Sequence, residues 1–248
     1  MTEDFEIIPA IDILDGKCVR LTQGQYNLVE EFSTKPEEVA NKWVTYGAKR
    51  IHLVDLDGAK KGYPVNFKDI SKITKIPGIK VQVGGGIRTK ETIEQYLNEG
   101  VSYLILGTKA FQDKDFFKEV LKEYGEKIIL GLDLKNNKVA LSGWQETIEI
   151  NINNLEELFG NIKQIIYTDI SKDGTLSGPN LNSLDAIAGS VKSKIIVSGG
   201  ISGMEDILAI LKLKKEKHHN LAGVILGKSL YKQKIDLKEA IELTKKSF

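Results

Sequence analysis

Short apolar runs alternate with longer amphipathic stretches along the whole chain. Eight such runs stand out, at residues 6–11, 50–55, 80–83, 103–106, 127–132, 164–168, 194–197 and 223–226. Each is almost continuously apolar and rich in β-branched residues, the pattern of a strand buried on both faces. The stretches between them carry apolar side chains at helical spacing. Residues 35–46 set Val39, Trp43 and Tyr46 on one face, and 89–98 and 113–124 open with capping residues, Thr89 and Asp113. Further helical patterns cover 181–188, 203–213 and 236–245, with a shorter and weaker one at 153–159. Residues 17–21 alternate in polarity and predict a hairpin after the first strand. Strands separated by helices pair in parallel. One run in about every 31 residues is the size of a βα unit, and the length is close to the roughly 250 residues of a closed eight-stranded barrel. The pattern predicts an α/β chain with one domain over 1–248, a (β/α)8 TIM barrel. A doubly wound open sheet is the rival, but it seldom needs eight units.

The second half of the chain echoes the first. Ile-Ile-Pro-Ala-Ile-Asp at 7–12 returns as Ile-Ile-Leu-Gly-Leu-Asp at 128–133, and Ile51, Asp57 and Gly58 return as Ile165, Asp173 and Gly174. Val-Gly-Gly-Gly-Ile at 83–87 returns at 197–201 with Ser198 in place of the first glycine, and Leu-Gly-Thr-Lys-Ala-Phe at 106–111 as Leu-Gly-Lys-Ser-Leu-Tyr at 226–231. The matches keep chain order at close to half the chain length. The barrel is therefore expected to be built from two duplicated half-barrels, roughly 1–125 and 126–248.

Composition removes several function classes. Lys and Arg number 35 against 34 Asp and Glu, a net charge of +1. That balance gives no electrostatic reason to coat nucleic acid or an anionic membrane. The single cysteine, Cys18, excludes an internal disulfide, so nothing argues for secretion. With only His52, His218 and His219 beside it, a structural zinc site is a poor fit. No apolar run approaches the roughly 20 residues of a membrane helix, and the acidic N-terminus lacks the apolar core of a signal peptide. Neither of the glycine motifs that mark NAD or ATP sites occurs. The expectation is a soluble, cytoplasmic monomer with no nucleic-acid partner and no membrane contact.

In a barrel of this kind the active site forms at the C-terminal ends of the strands. Two groups of residues follow the predicted runs. Glycines follow the last two strands of each half: Gly84–Gly86 and Gly107–Thr108, then Gly199–Gly200 and Gly227–Lys228. A backbone N–H reaches a phosphate oxygen most closely where no side chain intervenes, and successive N–H groups make an anion cradle. One such glycine means no more than a tight turn. Four sites in two matched pairs point to two phosphate cradles, Gly85, Gly86, Gly107 and Thr108 in one and Gly199, Gly200, Gly227 and Lys228 in the other. The implied substrate is small and phosphorylated at both ends.

Carboxylates form the second group. Asp12 and Asp133 occupy equivalent places in the two halves and are expected to face each other across the barrel mouth. Such a pair can divide its work, one ionised and accepting a proton, the other protonated and donating one. Asp173 is a third candidate on a loop, and Thr168 can hydrogen-bond a carboxylate or a reacting oxygen. Trp144 can stack on a planar heterocycle, and Arg20, in the hairpin, is expected to reach the ligand. Cys18 and His52 read as packing residues.

With these residues in hand, a resemblance emerges. Ile8-Pro-Ala-Ile-Asp12, Gly16-Lys17 with Val19-Arg20-Leu21, Val54-Asp-Leu-Asp-Gly-Ala59, Gln82-Val-Gly-Gly-Gly-Ile-Arg88, Gly143-Trp-Gln-Glu146, the run from Thr168 through Asp173-Gly174 to Gly178-Pro-Asn180, and Ser198-Gly-Gly-Ile201 resemble the histidine-pathway isomerase family, the phosphoribosylformimino-aminoimidazole carboxamide ribotide isomerases. The sister cyclase family typically has Cys-Leu-Asp where this chain has Ala10-Ile11-Asp12. The resemblance implies an Amadori rearrangement of an aminoaldose to an aminoketose with no metal or cofactor. It implies Asp12 as general base at C2 of the opened ribose and Asp133 as general acid on the ring oxygen, assisted by Thr168 and Asp173. In some members the acid role falls to the counterpart of Asp173. It adds Gly178 to the substrate-binding set. A relative that also isomerises phosphoribosyl anthranilate, and a non-catalytic phosphosugar-binding barrel, are the alternatives.

Overall fold

The computed structural model describes residues 5–136 and 138–246. Among these, the strands are β1 (Glu6–Leu14), β2 (Lys17–Thr22), β3 (Gln25–Ser33), β4 (Arg50–Asp55), β5 (Lys80–Gly84), β6 (Tyr103–Leu106), β7 (Ile128–Lys135), β8 (Lys138–Leu141), β9 (Glu146–Ile148), β10 (Gln164–Asp169), β11 (Lys194–Ser198) and β12 (Leu221–Leu226). The helices are α1 (Pro36–Thr45), α2 (Leu56–Lys61), α3 (Phe67–Thr74), α4 (Lys90–Asn98), α5 (Thr108–Gln112), α6 (Lys114–Tyr124), α7 (Leu155–Phe159), α8 (Leu181–Ser190), α9 (Met204–Glu216), α10 (Lys228–Tyr231) and α11 (Leu237–Lys246). Strands β1, β4, β5, β6, β7, β10, β11 and β12 pair in parallel in that order, and β12 returns to β1. This is a closed (β/α)8 barrel. An open sheet would leave two edges, and among the described residues these eight strands leave none.

The strands are apolar throughout because both of their faces are buried. Outward-facing Ile7, Ile11, Leu130, Leu132, Ile165 and Val197 join the helices in the main core. The alternate positions, Ile8, Ala10, Ile129, Ile166, Ile196 and Ile225, fill the barrel interior. A strand's period of two then carries the same inward series upward from Ala10 to Asp12, from Ile129 to Asp133 and from Ile166 to Thr168. At the other end, Arg50 pairs with Glu6 at 2.9 Å and Gln164 at 3.2 Å and lies 4.0 Å from the Tyr103 ring centre. That layer closes the barrel floor.

Two additions sit on the barrel mouth. The predicted hairpin is present: β1 continues past the barrel, turns through Asp15 and Gly16 in left-handed conformations (φ 50° and 70°), and pairs antiparallel with β2. A second such turn at Gln23 and Gly24 leads into β3. Strands β8 and β9 extend β7 in the same way. Thr89 and Asp113 cap α4 and α6 through the backbone N–H groups of Thr92 and Phe116, at 3.3 and 3.0 Å. Helix α3 was not anticipated. It is only two turns long, so Phe67, Ile70 and Ile73 give too short a period to stand out against the following strand.

Candidate active site

Asp12, Asp133, Thr168 and Asp173 all line one cavity of about 270 Å³ at the C-terminal end of the barrel. Asp12 accepts from Arg20 Nη1 at 2.7 Å. Arg20 also donates from Nη2 to the Ala10 carbonyl oxygen. The guanidinium expected to reach a ligand is thus already engaged with the carboxylate. Asp133 accepts from the Trp144 indole Nε1 at 2.6 Å, and its strand partner Thr168 adds a second hydrogen bond. The Trp144 ring packs against Gly24, where a Cβ would stand 2.3 Å from the indole. Ser142, Gly143 and Trp144 are all left-handed, with φ of 56°, 65° and 70°, and this turn aims the indole into the cavity.

The three carboxyls are not equivalent. Burial raises Asp12 above its ordinary value, and the charge and hydrogen bond of Arg20 pull it back. Burial also raises Asp133, opposed by the hydrogen bonds from Trp144 and Thr168. Asp173 has no donor to its carboxyl among the described residues. Burial and the nearby charges of Asp12 and Asp133 push it up to about 7, against the weaker pull of Arg20 and Lys228. A carboxyl facing two others with no donor of its own takes the shared proton. His52 lines the cavity wall as a neutral base-pair-like partner of Gln82, with Nδ1 2.8 Å from the Gln82 amide nitrogen. Burial, with the charges of Arg20 and Arg50, lowers its pKa to about 3.

The glycine turns close the other two sides. Gly85, Gly86, Gly107 and Thr108 line the cavity, as do Gly199, Gly200, Gly227 and Lys228. Gly85 and Gly199 have φ of +101° and +91°, and a Cβ there would stand 2.2 and 2.7 Å from the carbonyl oxygens of Asp55 and Asp169. So these positions need glycine for backbone packing as well as for an open face. Gly178 lies elsewhere: it does not line the cavity, and its N–H donates to the Gly200 carbonyl at 3.0 Å. It supports a cradle residue from behind. Gly227 packs under Arg20, with 3.0 Å between a built Cβ and the guanidinium carbon. Lys228 donates to Thr22 Oγ1 at 3.1 Å, and Thr108 Oγ1 accepts from the Ser142 N–H at 2.9 Å.

A set of residues behind the turns escaped the sequence reading. Asp55 is fully buried and accepts from the N–H groups of Gly58, Val65 and Asn66 and from the Asn66 amide, at 2.7–2.9 Å. In the second half Asp169 accepts from Ser171 and from the Asn180 amide, at 2.6–2.9 Å. Asp55 and Asp169, Asn66 and Asn180, and Gly85 and Gly199 all stand 114 residues apart. That constant offset was the available signal.

The chain matches the histidine biosynthesis protein family over residues 6–236. It is 49% identical over 237 residues to a protein of Caldanaerobacter subterraneus subsp. tengcongensis, covering 95% of this chain and 96% of that one. It is 48% identical over 239 residues to one of Thermoanaerobacter sp., covering 96% and 99%. It is 46% identical over 240 residues to one of Gloeothece citriformis, covering 96% and 92%. Each of these relatives is named a 1-(5-phosphoribosyl)-5-((5-phosphoribosylamino)methylideneamino) imidazole-4-carboxamide isomerase.

Proposed function

The chain belongs to the histidine biosynthesis protein family, and on that premise we propose that its cavity rearranges the doubly phosphorylated aminoaldose with Asp12 as base and Asp173 as acid. The enzyme is an aldose–ketose isomerase acting on a small phosphoribosyl compound. The observation that carries the assignment is the difference in partners among three carboxyls in one cavity: Arg20 on Asp12, Trp144 on Asp133 and no donor on Asp173 among the described residues. Asp12 is held to Arg20⁺ and is the natural proton acceptor. Asp133 receives two hydrogen bonds that favour its ionised form. Asp173, raised to about 7, still carries its proton in about half of the molecules at neutrality and can give it to the ring oxygen.

The chemistry then follows from positions. Protonation of the ring oxygen by Asp173 opens the ribose to a Schiff base. Asp12 takes the proton from C2, giving an enaminol. A proton returned at C1 and loss of the C2 hydroxyl proton give the ketose, so substrate and product are isomers. Asp133, oriented by Thr168, is suited to stabilise the cationic Schiff base by charge. Gly85, Gly86, Gly107 and Thr108 would hold one phosphate through backbone N–H groups, and Gly199, Gly200, Gly227 and Lys228 the other. Arg20 and Trp144 act on the carboxylates they bond. A substrate with two phosphates does not cross membranes unaided, which supports a cytoplasmic site of action.

The test is turnover of the aminoaldose by purified protein, followed as loss of substrate and gain of ketose. Asp12→Asn should lower kcat by about 10²–10⁴-fold with KM little changed. Undiminished turnover in that variant would sink the proposal.

A further inference from the structure

We propose that Tyr231 is a positioning residue for the reaction: it braces the Arg20 guanidinium, and through it fixes the orientation and proton affinity of Asp12. The inference rests on the reading of Asp12 as base and adds a residue outside the cavity lining to it.

Tyr231 ends α10, the short helix that follows Gly227 and begins at Lys228. Its ring centre lies 5.3 Å from the Arg20 guanidinium carbon, close enough for a cation–π contact. Its hydroxyl donates to the Ala10 carbonyl at 3.2 Å. A phenol has one proton to give, so the Cys18 thiol, 3.0 Å away, is the donor to the Tyr231 oxygen. The Ala10 carbonyl therefore receives both Tyr231 and Arg20, two residues before Asp12 on the same strand. The Arg20 Nε has no partner among the described residues. The two Nη contacts, the Tyr231 ring and the close approach of Gly227 are what hold the fork.

The ring itself is rigidly set. Phe32 and Trp43 pack on it with centroid separations of 4.6 and 5.2 Å. Around Asp12, the facing ionisable groups are Arg20 and Cys18 from β2, Tyr26 from β3, Tyr231 from α10 and Asp173 from the loop after β10. Asp133 and Lys228 bear on Asp173 in turn, and His52 on β4 is neutral. Arg20 is the group that holds the Asp12 carboxyl down against burial. If its guanidinium loses its backing and drifts, that restraint weakens, Asp12 gains proton affinity, and the acid limb of the pH–rate profile moves to higher pH.

The experiment measures kcat, KM and the pH dependence of kcat for Tyr231→Leu and Tyr231→Phe, with Asp12→Asn in parallel. Tyr231→Leu should lower kcat by about tenfold, leave KM within about twofold, and raise the acid limb by about one pH unit. Tyr231→Phe keeps the ring and should recover most of the kcat and most of the limb position. If Tyr231→Leu does not fold, Tyr231→Met fills the space without a ring and must show the same shift. A wild-type kcat and pH profile in the ringless variant, with Asp12→Asn inactive, overturns the role of Tyr231 and leaves Asp12 as base. Full activity in Asp12→Asn overturns both.

Discussion

The site divides its chemistry at the level of single carboxyl groups, and Asp173 gives the sharpest consequences. Its proton is held up to about 7, so an acid role requires kcat to fall as pH rises through that region. Asp173→Asn should remove the basic limb together with most of the turnover, and a wild-type basic limb in that variant would assign the acid elsewhere. The same shift bears on stability. An unfolded aspartate titrates near 3.9, so between about 4 and 7 the folded chain binds the extra proton. Stability from this group therefore declines as pH rises across that window and stays reduced above it. Asp173→Asn should thus stabilise the fold at pH 8, on the order of 2 kcal/mol once solvent and neighbouring charges are allowed for, and do nothing at pH 3.5. Urea unfolding at both pH values checks it. Equal gains at the two would show a packing effect instead.

Turns and helices carry the next layer. Gly85 and Gly199 sit where they do because Asp55 and Asp169 end the preceding strands and are tied down by Asn66 and Asn180. Asn180 also caps α8, accepting from the Ser183 N–H at 3.2 Å. Asn180→Ala should cost about 1–3 kcal/mol, from the lost cap and the one bond taken from Asp169. It should also raise KM several-fold with kcat held within about twofold, since the cradle moves and the carboxyls do not. A change in kcat alone would separate Asn180 from the cradle. These supports explain what could be read in advance. Buried strands declare themselves by continuous apolar runs, and the Asp and Gly positions at their ends follow from the repeat. The Asp55–Asn66 pairing joins residues eleven apart across the short helix α2, where no hydrophobic period marks it and only the 114-residue echo does. The contact of Gly24 with Trp144 joins two hairpins far apart in the chain, and only the closed barrel brings them together. Arg20 was legible as a cation near the mouth, but its attachment to Asp12 depends on the register that sets Asp12 opposite Val19.

The whole molecule keeps stability and chemistry at opposite ends of one barrel. The floor layer draws Glu6 from β1, Arg50 from β4, Tyr103 from β6 and Gln164 from β10. We regard 1–248 as one domain of two half-barrels, roughly 1–125 and 126–248; the 114-residue spacing of the Asp–Asn pairs supports this. The floor layer then joins the halves, three of its members in the first and one in the second. The Arg50 side chain is 4% exposed and that of Glu6 35%, so the pair is shielded on one side only. Arg50→Met keeps the volume and removes the charge. It leaves Glu6 and Gln164 without their shared donor and should destabilise the fold by about 2–3 kcal/mol, below the full effect of breaking a fully buried pair. His52, one layer above, loses one of the charges that hold it neutral, but burial is the largest of its causes and suffices at neutral pH. Asp12, Asp133 and Asp173 lie at the far end of the strands, so kcat should stay within about twofold. A lower urea midpoint with unchanged slope and intact turnover is the expected pairing. Loss of turnover in a variant of unchanged stability would mean that the floor and the mouth are coupled through the barrel interior.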